Sequence, residues 1–573
     1  MIVIPGPAQR RSGSDCSLME RDTRHPPGAD GEGSARPGGH AVEAAAAQGY
    51  ESLDRSKVLV TLGGVMLAMF LGSLDQTVVG TAMPRIIADL GGFDRYTWVT
   101  TAYLMTSTSV MPIVGRLTDI YGRKRFYIAG IVIFLLGSAL AGLSQTLNQL
   151  ILFRAFQGIG GGIMIANAFI VVGDLFPPSE RGKYQGLITA VFGLSSIVGP
   201  ILGGFITDNL SWHWIFYVNL PLGIPVIAAF IRYFPNIRPA RTKHRLDYLG
   251  MTVLIACVAC LILGLSWGNV QYEWISAPVI AVLTTAGILA VVFLLVESRA
   301  AEPIMPLSMF GNSVATLSMI ALFFMGMGLF GGIIFIPLFF QGVLGLSATS
   351  SGSFLTPMML GLVVASTLSG QALSRLGGHY RIQALIGLVV MGLGMYLLSR
   401  LGADSSRGQA ILSIVVMGFG VGTALPLYII AVQNAVPYRI MGIATSSLQF
   451  FRAIGATVGL ALFGSIMADR FASNAKDLVP PGVPPGTISE LTQNPEALMD
   501  PGALSRLRDM FSELGPDGLR MAEQVVLALR EALAMAISDV FVIGLAAVGV
   551  AFLVTLFLKE VPLKRSHGHT EPG

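Results

Sequence analysis

The chain has 573 residues, 53% hydrophobic and only 12% charged, with a net charge of +4 and a mean hydropathy of +0.68. A soluble domain carries about twice that share of charge, so the composition excludes an ordinary water-soluble globule. Fourteen apolar stretches each match a helix crossing a hydrocarbon core about 30 Å thick, and the alternating strands of a membrane barrel are absent.

Residues 1–56 are rich in Gly, Pro, Ala and charge and hold no apolar segment of the signal-peptide kind; a disordered cytoplasmic tail is expected. The predicted spans are 58–83, 96–115, 126–144, 150–173, 184–206, 214–234, 247–267, 275–296, 313–340, 348–370, 383–399, 409–432, 440–468 and 535–558. An even number puts both termini on one side. With that side cytoplasmic, the short inner connections hold fifteen Lys and Arg, from Arg116 to Arg439, and the short outer ones four: Arg85, Arg95, Arg400 and Arg407. That asymmetry satisfies the positive-inside rule. A long connection, 469–534, is net acidic and ends in a helical pattern, which predicts an external hairpin serving as a lid or as decoration.

The first span carries a lone acid, Asp75, in VMLAMFLGSLDQTVVGTAM. A charge at that depth costs about 2.5–3.5 kcal/mol or more, so it is a functional suspect by default. Next comes GRLTDIYGRKRF at 115–126, where Gly115 and Gly122 suit a tight turn and Asp119 can pair with Arg123 or a neighbouring helix end. The fourth span places Arg154 and Gln157 one turn apart in ILFRAFQGIGGGIMIAN. Asp75 is eighteen residues beyond Lys57 and Arg154 twenty before Asp174, about 27 and 30 Å along their helices, so both sit at one height. The GIGGG run follows no strand and reads as close helix packing.

In the fifth span, GLSSIVGPILGG, Gly199 and Pro200 predict a bend, while Gly203 and Gly204 allow close backbone approach. Cys257 and Cys260 form a CxxC inside an apolar run, where packing explains them better than redox chemistry or a metal. Phenylalanines and methionines from Phe323 to Phe340 fit either a pliable site for lipophilic guests or ordinary packing. The thirteenth span buries Arg452 beside Gln449; bent-helix carbonyls or Asp75 are its candidate acceptors, and structural and substrate roles both stay open.

Several of these runs resemble one family. GRLTDIYGRK resembles the loop signature of the major facilitator superfamily, and Arg154, Gly158 and Gly160 resemble its fourth-helix pattern. GPILGG resembles its antiporter signature, although Gly193 stands six residues before Gly199 rather than four. SWHWIFYVNLPLG and SLDQTVVGTAMPRI, with fourteen spans, resemble the EmrB/QacA-type drug:proton antiporters, with His213 and Gly80 departing from the usual residues.

The resemblance implies an all-α polytopic fold of two six-helix bundles, 57–234 and 313–558, with two extra spans in a linker at 235–312 and a cytoplasmic tail at 559–573. It implies a multi-pass protein of a bacterial inner membrane, a secondary transporter and not an enzyme. Lipophilic or cationic compounds would be exported by alternating access. The proton gradient would supply the drive in place of a cofactor. Asp75 and Arg154 would couple protons, Gly115, Asp119, Gly122 and Arg123 would form a cytoplasmic gate, and Arg452, Gln157 and Gln449 a central polar site. Export of an endogenous lipid or metabolite would use the same chemistry. A membrane enzyme or sensor is disfavoured: none of the seven histidines is deep in a span, and HExxH and GxxxxGK[ST] are absent. Bilayer lipid, protons and a small molecule are the implied partners, nucleic acid is not, and the need for a periplasmic adaptor stays open.

Overall fold

The structure is a computed structural model in which residues 54–91, 95, 97–235, 246–268, 271–346, 348–375, 378–480, 505, 509, 511 and 516–563 are described. The first half comprises α1 (Arg55–Leu90), α2 (Thr97–Tyr121), α3 (Arg123–Gly142), α4 (Leu147–Leu175), α5 (Pro178–Asn209), α6 (Trp214–Tyr217) and α7 (Asn219–Tyr233). Two helices follow, α8 (Tyr248–Trp267) and α9 (Ala277–Arg299). The second half comprises α10 (Ser313–Leu338), α11 (Ala348–Arg375), α12 (Tyr380–Ser399), α13 (Arg407–Ala435), α14 (Met441–Leu478) and α15 (Pro516–Leu556). Polar caps set several ends: Asp54 accepts from Ser56 N, Thr146 from Gln149 N, and Ser406 with Gln409 forms a reciprocal capping box. Among the described residues there is no strand, only an isolated bridge between Gly268 and Tyr272.

Thirteen spans among the described residues are long and apolar enough to cross a membrane. The expected span at 96–115 falls short on apolarity, although α2 is 25 residues long. Its Thr and Ser side chains dilute it, yet Thr106, Ser107 and Ser109 bond carbonyls of their own helix, which hides their polarity.

Three boundaries differ from expectation. The connection expected at 116–125 shrinks to Gly122, whose φ of +90° suits glycine alone, so α2 and α3 nearly abut. The span at 214–234 breaks at Val218, because Pro221 lacks the N–H that would bond the preceding turn. Of the expected hairpin at 469–534, the described part includes the extension of α14 to Leu478 and of α15 from Pro516, with Phe471, Leu529 and Leu533 buried. Residues 481–504, the tail 1–53, and Arg238, Arg241, Lys243, Arg245, Lys564 and Arg565 lie outside the described residues.

Packing repeats between the halves. α1 packs on α4, α5 and α7, and α2 and α3 on α4; α10 packs on α13, α14 and α15, and α11 and α12 on α13. The halves meet along two seams, α5 against α11 and α2 against α14. α8 and α9 pair with each other, and α8 also lies on the α2–α14 seam. An Arg116–Glu302 ion pair at 3.4 Å and a Trp274 Nε1 to Ser465 Oγ bond at 2.7 Å fasten these extra helices to both halves.

The seams close at one end only. Gly182, Gly186 and Gly193 of α5 admit α11 at Gly370, Ser366 and Met359, and Gly115 of α2 admits Gly442 and Ser446 of α14. Gly204 lies twenty-two residues beyond Gly182, within about 40° of the same face, and nothing comes within 4 Å of the Cβ position there. Gly464, eighteen residues or about five turns beyond Ser446, is equally open. The halves therefore touch at the Arg123 end and separate toward the other.

Candidate functional site

Asp75, 1% exposed on α1, is held by donors from two other helices. Arg154 Nη1 donates to Asp75 Oδ2 at 2.5 Å, while Gln157 Nε2 and Asn219 Nδ2 donate to Oδ1 at 2.8 and 3.1 Å. The second Arg154 Nη1 proton goes to Gln157 Oε1 at 2.7 Å. The guanidinium lies 4.3 Å from the centroid of the Tyr103 ring, a cation–π contact in a desolvated setting. Spacing of three residues puts Arg154 and Gln157 on one face of α4. Gly158, Gly160 and Gly162 bring α2 and α3 close behind them, through Tyr103, Phe134 and Ser107.

The break between α6 and α7 completes this cluster. At this break the Phe216 carbonyl accepts from Ser138 Oγ at 2.8 Å; Ser138 in turn accepts from Asn219 Nδ2 at 3.0 Å. Asn219 thereby spends both amide protons, one on Ser138 and one on Asp75. The NLPLG run by itself assigns Asn219 no role in the site. An Asn directly after a helix break and before Pro221 was the available signal.

A second polar cluster seals the closed end. Arg123 pairs with Asp119 at 2.5 Å and Asp174 at 2.8 Å and donates to Thr118 Oγ1 at 2.7 Å. Asp119 also accepts from Ile443 N at 3.0 Å, so the first half grips the start of α14. Gly115 lies within α2 rather than in a turn, because helix continues to Tyr121; it serves the crossing with Ser446. Arg181 donates to the carbonyls of Phe176 and Gln433 at 2.9 and 3.2 Å, and Gln433 Nε2 donates to Phe169 O and Thr445 Oγ1 at 3.1 and 3.2 Å. Asp174, whose sequence position places it merely near a helix end, is 2% exposed and ion-paired, and Gln433 carried no signal in isolation.

The remaining expected residues separate. Gly199 and Gly203 receive Thr77, Val78 and Thr81 of α1, and Thr77 Oγ1 reaches Ser195 O at 3.2 Å, next to the carbonyl that Pro200 leaves unbonded. α5 runs through Pro200 without interruption, and Gly204 makes no close approach. Arg452 does not reach Asp75; its Nε donates to Gln449 Oε1 at 2.9 Å within α14. Met325, Met327, Phe335, Phe339 and Phe340 are buried in the core, which favours packing over an open guest site. Cys257 Sγ donates to Ala286 O at 3.4 Å, joining α8 to α9.

Residues 65–460 match the Major Facilitator Superfamily. The chain is 38% identical over 516 residues to the multidrug transporter protein MdtP of Bacillus subtilis, covering 89% of this chain and 94% of that one. It is 37% identical over 504 residues to multidrug resistance protein 3 of the same species, covering 87% and 95%. An efflux pump of Gibberella moniliformis, FUS6, is 30% identical over 517 residues, 89% of each chain. Solved structures with the same fold include the human organic anion transporter MFSD10, at TM-score 0.54 and 13% identity over 86% of this chain and 99% of that one. The proton:xylose symporter XylE aligns at TM-score 0.54 and 12% identity, over 90% and 99%. Two bundles of long apolar helices, joined by α8 and α9 and matched over most of their length to these proteins, make this chain a membrane transporter of the Major Facilitator Superfamily.

Proposed function

We propose that the protein is a proton-coupled antiporter that exports lipophilic or cationic compounds across a bacterial inner membrane, with fourteen spans and both termini cytoplasmic. The bundles 57–234 and 313–558 rock about a linker at 235–312. The sealed Arg123 end is then cytoplasmic, and the open end faces outward. The observation that carries this reading is Asp75, buried and held by three donors on α4 and α7.

A site made only of donors suits the ionised carboxylate. A proton on Oδ1, where Gln157 and Asn219 take both lone pairs, displaces one of them, and a proton on either oxygen removes the charge that holds Arg154, so protonation loosens α1 from α4 and α7. α1 rests on α5 through Gly199 and Gly203, and α5 forms the seam with α11. Proton uptake thereby acts on an element whose other side holds the halves together. Asp119, Arg123 and Gly122 serve as the cytoplasmic gate, with Arg181 and Gln433 behind it. Exchange of one proton for a monovalent cation is electroneutral and draws about 1.4 kcal/mol per pH unit. A neutral substrate adds about 2.3 kcal/mol per 100 mV.

The test is proton release from the purified protein in weak buffer on adding ethidium. Wild type should release protons and Asp75→Asn should not. Asn leaves the Arg154 charge buried without its counter-ion, which costs about 3–5 kcal/mol, so the thermal midpoint is read alongside and Asp75→Glu serves as control. Undiminished proton release by a folded Asp75→Asn protein would reject Asp75 as the carrier.

A further inference from the structure

Arg452 stands out among the deep cations. The Arg154 and Arg123 guanidinium groups have carboxylates within 2.5 to 2.8 Å, whereas no acid pairs with Arg452 among the described residues. Its single protein bond, Nε to Gln449 Oε1 at 2.9 Å, also fixes the Gln449 amide, with its oxygen occupied and its NH2 left over. Gln449 is fully buried, and its Nε2 has no partner among the described residues. Both terminal nitrogens of Arg452 likewise lack an acceptor among the described residues. The result is a group of donors facing no acceptor, one cationic and fork-shaped, the other an amide.

Its place in the fold is equally specific. Arg452 lies six residues, about 9 Å, outward of Ser446, where α14 crosses Gly115 and the halves seal. It shares a helix face with Gln449 and Thr445, and Thr445 takes part in that seal through Gln433. Outward of Arg452 on the same helix, Gly455 and Gly459 draw in α10 at Phe323 and Met327, so apolar surface borders the donors. Arg452 thus lies on the open side of the seal, with the Gln449 amide buried beside it.

We propose that Arg452 and Gln449 form an oxyanion subsite of the transport pathway. It takes the carboxylate, sulfonate or phosphate group of an otherwise lipophilic compound, with the guanidinium bidentate on two oxygens and the Gln449 amide on one. This rests on the export reading and extends its substrate range to amphipathic anions and zwitterions. The two halves then carry separate roles, the acid of the first handling the proton and the donors of the second holding the substrate.

The experiment compares two fluorophores of one scaffold in full-length protein held in phosphatidylcholine nanodiscs: 8-anilino-1-naphthalenesulfonate and the neutral N-phenyl-1-naphthylamine. Empty nanodiscs set the background. Arg452→Gln should weaken sulfonate binding at least tenfold and leave the neutral compound within twofold, with Arg452→Lys between. Unchanged sulfonate affinity in Arg452→Gln, or equal loss of both compounds, overturns the proposal. If Arg452→Gln does not fold, Gln449→Leu decides: a threefold or larger loss confined to the sulfonate supports the subsite, and no selective loss overturns it. Binding is read without a gradient. Absence of ethidium-driven proton release in wild type would therefore fail the export reading alone, and absence of selective sulfonate binding the subsite alone.

Discussion

Asp75 shows how a buried charge is made tolerable by geometry. Its two oxygens meet an arginine, a glutamine and an asparagine, so the ion keeps hydrogen bonds comparable to those it gave up in water. Asn219 is the member with two roles, since it also holds Ser138 against the broken end of α6. Asn219→Ala should cost about 1–3 kcal/mol, visible as a lower thermal midpoint. It should also slow ethidium export in proteoliposomes at least tenfold by leaving Asp75 short of a donor. Normal export at normal protein level would show that Asn219 only supports the helix break. Arg154 and Gln157 follow from sequence because residues three apart on a helix share a face. Asn219 does not, because its partners lie on α1 and α3.

At the level of the helix, glycine separates the two surfaces of α5. One face, with Gly182, Gly186 and Gly193, meets the opposite half; another, with Gly199 and Gly203, receives α1. Gly204 meets nothing within 4 Å. Gly203→Leu should therefore strike Thr81 and Val78, an overpacking cost of about 1–3 kcal/mol, and reduce export sharply. Gly204→Leu should leave the thermal midpoint near that of wild type, because nothing meets that position in this state. The pair distinguishes packing from a mere need for flexibility at GPILGG: comparable damage from both would indicate the latter. α2 shows the reverse situation, since its hydroxyls look polar in sequence and are internally bonded in the helix.

Across the whole molecule, the seams are closed at the Arg123 end and open at the other, and on the export reading this would be one arm of an alternating-access cycle. Access to water should follow that asymmetry. With Cys16, Cys257 and Cys260 replaced by Ser, Gly204→Cys and Gly464→Cys should react with a membrane-impermeant maleimide applied from outside. Ser366→Cys, buried against Gly186, should not. Equal labelling at all three positions would contradict an outward-open resting state. Gln433 and Arg181, which cross from one half to the other, are the groups that have to part when the seal opens.

Sequence alone determined the membrane class, the helix count to within one, the deep acid and its same-height arginine. All of these follow from local apolarity, charge and the fixed rise of a helix. It offered Asp119 two partners, Arg123 four residues on or a neighbouring helix end, and the structure gives it both, the Arg123 guanidinium and the Ile443 N–H at the start of α14. Tertiary structure decided the rest. Asn219, Asp174 and Gln433 became site residues only when helices distant in sequence were packed together, and for the same reason Gly115 serves a helix crossing instead of a turn while Gly204 makes no close approach. Arg452 was visible as a costly charge, but that no carboxylate among the described residues pairs with it depends on what every neighbouring helix presents. A single chain pattern encodes which face of a helix is buried, and not what it is buried against.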